Sequence, residues 1–436
     1  MNTSTEKFDV IVVGAGPAGN AAAYTLAKAG KKVLQLERGE YPGSKNVQGA
    51  ILYADALEKI IPDFRDSAPL ERHVVEQRMW LMEAQSHLGT HFRSDQYNQQ
   101  PGNRYTIIRA RFDKWFSDQV QQAGALVLCE MTVTELLKDE NGRVIGVNVD
   151  RDNGRIYADA VILADGVNSL VASRAGLRED ISPAAVALGV KEVIFMPKET
   201  IDARFNLNGQ EGAVIEMFGS ISEGMVGTGF LYTNKDSISV GLGCMLSDMK
   251  NQQTTPVELL EKLKRHPSVA PLIAGGETRE YAAHLLPEGG YDALPKLYGE
   301  GWMLVGDSAG FLNAVHREGS NLAMTTGRMA AETLLELFAE GKPASAPNLA
   351  RYQARLDESF VMKDLKKYRK IPAMLDRQRQ FVADYPGLFN QAAFNFFSVD
   401  GRDKETKEKE IFTAFRERRS LFGLLGDAFR LWRATR

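Results

Sequence analysis

The sequence predicts an α/β fold: a βαβ unit with an antiparallel meander, interleaved with a mixed-sheet domain and followed by a helical C-terminal region. Three observations predict it. The β-branched run Phe8-Asp9-Val10-Ile11-Val12-Val13 leads directly into Gly14-Ala15-Gly16-Pro17-Ala18-Gly19, as a strand buried in a parallel sheet does when a helix follows. Apolar runs between Ala125 and Ala164 are separated by Glu140-Asn141-Gly142 and Asp152-Asn153-Gly154, and Asn-Gly between strands favours a hairpin. From Arg351 onward the chain reads as mostly helical and charged.

Taken in order, Asn20 to Ala29 is an Ala-rich helix stopped by Gly30, and Lys32 to Leu36 is a second strand closed by Glu37. Together with the first strand they make a βαβ unit of about 30 residues. The runs Ala125–Val133, Val144–Val149 and Ala158–Ala164 form the meander, which ends in Leu163-Ala164-Asp165-Gly166. Residues 186–245 alternate like strands with Gly-rich breaks. A late buried strand, Trp302-Met303-Leu304-Val305, runs into Gly306-Asp307-Ser308-Ala309-Gly310, and Leu322 to Phe338 has helical spacing. No internal repeat or low-complexity linker separates these parts, so the domains interleave. The expected boundaries are 1–75, 105–180 and 295–345 for the first domain, 76–104 and 181–294 for the second, and 346–436 for the helical region.

Composition excludes several classes. The 436 residues suggest two or three packed units, and a formal charge of −3 argues against a nucleic-acid partner held by bulk positive charge. Two distant cysteines, Cys129 and Cys244, exclude a disulfide scaffold, a multi-thiolate zinc site and an iron–sulfur cluster held by this chain alone. No metal site is expected. Both cysteines read as core residues. The N-terminus lacks a signal-peptide core and no window reaches 18 uninterrupted apolar residues, which makes the cytoplasm the expected compartment.

The glycine turn carries chemistry because of its context. It follows a strand, opens a helix, and is answered by Glu37, 23 residues after Gly14. Gly14 permits the tight turn, Gly16 lets backbone N–H groups approach a pyrophosphate, and Gly19 lets helix and strand pack closely. The helix N-terminus favours phosphate, and Glu37 can accept hydrogen bonds from ribose hydroxyls. Asp307 is placed to hold a ribitol hydroxyl, and the helix beginning near Ser320 can point its N-terminus at a flavin pyrimidine.

These elements, with Asp165-Gly166 and the Arg109-Ala110-Arg111-Phe112-Asp113 pattern, resemble the FAD-binding framework of glutathione-reductase-like flavoproteins. The flanking segments narrow the resemblance. Gly43-Ser44-Lys45-Asn46-Val47-Gln48-Gly49-Ala50-Ile51-Leu52, Gly227-Thr228-Gly229-Phe230-Leu231-Tyr232, Glu288-Gly289-Gly290-Tyr291 and Leu294-Pro295-Lys296-Leu297 are similar to segments of the electron-transfer-flavoprotein:quinone oxidoreductase family. The resemblance spans most of residues 8–372. It implies FAD held by Gly14, Ala15, Gly16, Pro17, Ala18, Gly19, Glu37, Arg38, Gln48, Gly49, Arg109, Val133, Asp165, Gly166, Gly306, Asp307, Gly310, Gly319, Ser320 and Asn321. Gly227 and Thr228 match quinone-side positions, with Thr where the family has Gly.

Longer members continue into a ferredoxin-like domain whose cysteines hold a [4Fe–4S] cluster, and no cysteine follows Cys244 here. The chain therefore resembles the shorter branch, the FAD subunit of Fix-type complexes, in which a small ferredoxin-like chain carries the cluster. That resemblance implies electrons taken from an electron-transfer flavoprotein pair and passed to quinone, within a bifurcating complex that supplies reduced ferredoxin or flavodoxin for nitrogen fixation. A sister branch serves carnitine or fatty-acid metabolism. Other readings are a geranylgeranyl-reductase-like enzyme, a flavin monooxygenase and a non-catalytic, FAD-stabilised assembly subunit.

Flavin chemistry needs few catalytic side chains, and no Ser/His/Asp triad or HExxH motif is present. His316, in a loop expected beside the flavin, is a candidate proton donor. Leu388 to Val399 carries four aromatics in twelve residues, and Ile411 to Arg436 carries six arginines among Phe, Leu and Trp. Both read as interfacial segments that place the chain peripherally on the cytoplasmic face of the inner membrane.

Overall fold

The computed structural model describes residues 7–45 and 49–435. Its contacts divide the chain into two units. The first comprises the described residues to Leu70, Ile107–Ala185 and Leu285–Lys366; the second comprises Glu71–Thr106, Val186–His284 and the chain from Lys367 onward.

The first unit is built on a sheet in the order Tyr298–Gly299, Trp302–Leu304, Arg155–Leu163, Lys7–Val13, Val33–Leu36, Leu126–Leu128. The first strand lies centrally and pairs in parallel on both sides, so its apolar residues are covered on both faces and Val10, Ile11 and Val12 are inaccessible to solvent. Each such side chain contributes roughly 1.5–3 kcal/mol. Helix Pro17–Lys28 packs on helix Ser320–Ala339 through small residues. At Gly327 a Cβ would lie 2.1 Å from the Ala18 carbonyl oxygen, so the crossing has room only for glycine.

The meander consists of Val133–Lys138, Val144–Val149 and Arg155–Leu163, paired antiparallel. Its first turn is closed by the Asp139 carboxylate, which accepts from the amides of Asn141 and Arg143 at 2.9 Å each. The run Ala125–Val133 is not a meander strand. Its ordered part, Leu126–Leu128, pairs in parallel with Val33–Leu36 at the sheet edge. A three-residue apolar strand carries no information about its direction. The preceding helix Arg109–Gln122 acts as the crossover that returns the chain parallel. Helix Ala346–Glu358 also belongs to this unit, and its Tyr352 hydroxyl donates to the Leu304 carbonyl at 3.0 Å.

The second unit has a mixed sheet in which Val186–Phe195, Ser237–Met245, Gly227–Thr233 and Glu211–Gly219 pair antiparallel in succession, and Glu211–Gly219 pairs in parallel with Leu70–Met82. Helix Pro256–Arg265 covers it with Leu259, Leu260 and Leu263, and Thr255 closes its N-terminus in a reciprocal capping box with Glu258. The C-terminal helices are Tyr385–Phe397, Lys404–Arg418 and Leu421–Ala434. The basic stretch 411–436 is thus two helices, broken at Arg419-Ser420, where the Ser420 hydroxyl caps the second by accepting from Gly423 N. Among the described residues no helix is long and apolar enough to cross a membrane.

Candidate functional site

The glycine turn is shaped by three different demands. At Gly14, φ is +103° and a Cβ would lie 2.3 Å from the Ala164 carbonyl oxygen; at Gly19 a Cβ would lie 2.0 Å from the Gly14 carbonyl oxygen. Both positions exclude side chains because the loop packs on its own backbone and on the neighbouring strand end. Gly16 differs: nothing lies within 4 Å of a Cβ built there. Its bareness does not serve packing and leaves a cradle facing open space. Gly16 is also the N-cap of helix Pro17–Lys28, with no side-chain cap and no acidic residue in the first turn. The first N–H groups of that helix are left for an external anion.

Polar side chains hold the turn in place. The Glu37 carboxylate accepts from Ala15 N at 2.9 Å through one oxygen and from Gly39 N at 2.7 Å through the other. Each oxygen keeps a lone pair with which it could accept from a ribose hydroxyl. Arg38 beside it is exposed. Two residues that the sequence reading passed over complete the support. Buried Asn20 donates to the carbonyls of Ala15 and Asp113, and buried Gln35 donates to the Gly14 carbonyl and to Asn20 Oδ1. An Asn and a Gln inside otherwise apolar elements were the available signal, since buried amides require partners.

A second cluster joins the loops after the strands. Arg109 opens helix Arg109–Gln122 and is buried, with a two-pronged pair to Asp113 at 2.8 Å and 2.8 Å. Burial opposes its charge, and Asp113 more than compensates, holding the guanidinium protonated. Its field also reaches Asp307. Burial raises the Asp307 carboxyl to about 6, against the lowering effect of Arg109. Asp307 therefore sits as a carboxyl able to donate or accept toward a hydroxyl. Ser308 Oγ accepts from Gly166 N at 3.0 Å, and the Ser308 carbonyl accepts from Arg178 at 2.6 Å. Burial raises the Asp165 carboxyl although Ser169, Ser308 and Val171 bond to it. Ser308 and Arg178 were not among the expected site residues; their part depends on contacts across more than a hundred residues of chain.

At helix Ser320–Ala339 the N-cap is Gly319, again without a side-chain cap or an acidic first turn. Asn321 is buried and, among the described residues, its Oδ1 has no hydrogen-bond partner, while its amide nitrogen donates to Glu318 at 3.2 Å. The loop before this helix is closed by a bridge between Asn313 and Glu318, and His316 N donates to Asn313 Oδ1 at 3.3 Å. Gly306 and Gly310 take positive φ, +58° and +83°. Val133 is buried at the start of the meander. Gln48 lies outside the described residues, and Gly49 begins strand Gly49–Tyr53.

Gly227 and Thr228 belong to the second unit, on strand Gly227–Thr233, opposite Cys244 and Gly243. A Cβ at Gly227 would lie 2.4 Å from Cys244 Sγ, so this glycine is required by strand packing. Burial raises the Cys244 thiol to about 12, which makes it an inert core residue. Cys129 is only half-buried, in a bend beyond the strand rather than in the core. No cluster of metal-ligating side chains occurs among the described residues.

Three family models match the chain, the first two overlapping. Residues 7–229 match the FAD binding domain model, 186–286 match the ubiquinone-binding model of ETF-QO, and 371–436 match the ETF-QO/FixC family C-terminal domain. The chain is 62% identical over 430 residues to Protein FixC of Azotobacter vinelandii, covering 99% of each chain. It belongs to the ETF-QO/FixC family. It is also 60% identical to Protein FixC of Bradyrhizobium diazoefficiens over 99% of each chain. Against the probable electron transfer flavoprotein-quinone oxidoreductase YdiS of Escherichia coli it is 42% identical, over 98% of this chain and 99% of that one. Among solved structures, a geranylgeranyl bacteriochlorophyll reductase-like protein from Thermoplasma acidophilum has a TM-score of 0.72 at 21% identity, over 94% of this chain and 96% of that one. That likeness shows the fold alone.

The chain is an FAD-dependent, electron-transfer-flavoprotein:quinone oxidoreductase-like enzyme. The site fits FAD on structural grounds: the cradle at Gly16, two uncapped helix N-termini and the orphaned Asn321 Oδ1. When bound, the flavin supplies one- and two-electron storage. The Gly16 turn and Glu37 would hold its nucleotide end, and Arg109, Asp165, Asp307 and the Ser320 helix would hold the other.

Proposed function

We propose that this chain takes electrons from an electron-transfer flavoprotein pair onto its FAD and delivers them to quinone at a membrane surface. In this reading it works inside an electron-bifurcating complex, with a small ferredoxin-like [4Fe–4S] subunit, that supplies reduced ferredoxin or flavodoxin for nitrogen fixation. The observation that carries the reading is the joining, in one chain, of an FAD site to a segment matching a ubiquinone-binding model. The 62% identity to Protein FixC of Azotobacter vinelandii over 99% of each chain supports the Fix-type reading.

The C-terminal helices support the membrane contact. Phe394, Phe396, Phe397, Val399, Phe422 and Leu425 are exposed, Val399 to 92% and Phe422 to 88%. Exposed apolar patches of this kind mark interaction surfaces, and the arginines among them suit anionic headgroups. Beneath them, Asp427 holds the segment together. Its carboxylate accepts from Tyr385 at 2.6 Å, from Arg419 at 2.9 Å and 2.8 Å, and from Arg430 at 2.5 Å. Asn390 anchors helix Tyr385–Phe397 by donating to the Leu81 carbonyl at 2.8 Å. The same region lines an apolar cavity of about 340 Å³.

The decisive experiment mixes the flavin-loaded chain with a reduced electron-transfer flavoprotein pair, then with quinone, and follows the flavin spectrum. Reduction followed by quinone-dependent reoxidation supports the reading; a flavin that neither partner changes ends it. Added ferredoxin becoming reduced only while quinone is present would establish bifurcation. For the membrane, a Phe422→Glu, Leu425→Glu double variant should lose most flotation with anionic vesicles while keeping its flavin. Undiminished flotation removes this part of the proposal.

A further inference from the structure

The apolar cavity of about 340 Å³ among the C-terminal helices lies wholly within the second unit. Helix spacing dictates its wall. In helix Leu421–Ala434, Leu424, Ala428 and Leu431 recur at intervals of four and three residues, and so share one face with Asp427. Phe389 of helix Tyr385–Phe397 and Phe415 of helix Lys404–Arg418 line it as well, edge to face with ring centroids 5.6 Å apart. Phe389 and Leu431 are each 43% exposed, so the cavity opens to solvent.

The polar side chains on this wall already have partners. Tyr385 donates to Asp427 Oδ2 at 2.6 Å, and Arg419 and Arg430 donate to the same carboxylate. A wall without unmet hydrogen bonds suits hydrocarbon better than water. The volume lies at the small end of ligand pockets, roughly 300–1,000 Å³, which suits one slender chain. Charge beside the cavity is one-sided. Arg419 and Arg430 share the single carboxylate of Asp427, which leaves one positive charge in excess, and their side chains remain 34% and 48% exposed. Across residues 411–435 five arginines stand against two acids, Glu417 and Asp427. The helix that lines the cavity also carries the exposed Phe422, Leu425 and Phe429.

We propose that this cavity takes one acyl chain of an anionic phospholipid, whose phosphate is held by Arg419 and Arg430. The inference rests on the membrane contact proposed above. It sharpens that contact from a surface lying on a bilayer to a site that receives one lipid chain. Hydrocarbon matches the wall, and the excess positive charge matches a headgroup with a single negative charge. The prenyl tail of a quinone is uncharged and would leave that excess unanswered. Asp427 fixes the two guanidinium groups in place, which accounts for a carboxylate in an otherwise apolar wall.

The test is photocrosslinking of the flavin-loaded chain on phosphatidylglycerol vesicles. The vesicles contain a phosphatidylglycerol probe whose acyl chain ends in a diazirine, peptide mass spectrometry locates the label, and flotation is measured in parallel. Label should fall on Phe389, Phe415, Leu424 and Ala428. Ala428→Trp fills the cavity from an exposed position and should lower that label about tenfold while keeping flavin and flotation. If this variant does not fold, Leu431→Trp carries the same expectation. A phosphatidylcholine probe in the same vesicles should label about fivefold less, the effect of one excess positive charge near a membrane surface. Label confined to Phe422, Leu425 and Phe429 overturns the proposal, as does undiminished label in the folded tryptophan variant. Equal label from the two probes overturns it too. Label displaced by added long-chain ubiquinone assigns the cavity to a quinone tail and overturns it likewise. A wild type that floats without cavity label refutes this inference alone; one that neither floats nor takes label refutes the membrane contact itself.

Discussion

Two helix N-termini of the first unit contrast with three of the second. In the first, helices Pro17–Lys28 and Ser320–Ala339 begin at Gly16 and Gly319, without a side-chain cap and without an acid in the first turn. In the second, Thr255 and Ser420 close their helices with their own hydroxyls, as Asp403 does with its carboxylate. Leaving a cap off forgoes about 1 kcal/mol of stability per helix. At Gly16 and Gly319 the first unit forgoes it where the chain must present free N–H groups and partial positive charge to a ligand. Thr255, Asp403 and Ser420 keep it, because those helix ends only have to hold. An uncapped helix that begins at a bare glycine is thus an indicator of function, and a capped one an indicator of structure.

The largest effect should come from capping what the chain leaves open. Gly16 has φ of −79° and ψ of −176°, an extended conformation open to any residue, and free space beyond its Cα. Gly16→Asp should therefore fold normally, cap its helix and weaken flavin binding at least 100-fold, since two charges about 4 Å apart repel by roughly 4 kcal/mol at intermediate dielectric. Full flavin occupancy in that variant would break the contrast. Gly19→Val, by comparison, should fail in folding as well, because its side chain meets backbone at 2.0 Å.

A smaller effect tests the strain stored at Asp307. Its folded-state carboxyl, raised to about 6 from 3.8, binds protons more tightly than the unfolded chain does. Stability therefore falls as pH rises from about 4 to about 6, and the full cost, roughly 3 kcal/mol, persists above that range. In the flavin-free protein, Asp307→Asn should gain stability relative to wild type across that window and by a constant amount above it, as measured by denaturant unfolding. A difference that does not change with pH would remove Asp307 as a strained group. The smallest effect belongs to the second unit: Thr255→Ala should cost about 1 kcal/mol of stability and leave flavin content untouched.

Much of the first unit was legible in the sequence. The strand–turn–helix–strand order, the separate duties of Gly14, Gly16 and Gly19, and the acid Glu37 follow from backbone demands that act within a few residues of chain. The hairpin at Asn141-Gly142 was legible for the same reason. The direction of Leu126–Leu128 was not, because three apolar residues specify burial without specifying a partner strand. The break between the last two helices was also missed: amphipathic spacing continues through Arg419-Ser420, and only the caps mark the interruption.

The sequence by itself determined that this chain would cradle a dinucleotide, since conformational freedom, helix start and acid must come together in one short segment. Tertiary structure decided how the charges behave. The sequence pattern places Arg109 near a flavin but says nothing of its charge environment; folding buries it against Asp113 and within the field of Asp307. Ser308 joins Gly166 to Arg178, and Asp427 gathers Tyr385, Arg419 and Arg430. Burial and through-space charge depend on what the fold brings together from distant segments, and no local pattern of residues encodes them.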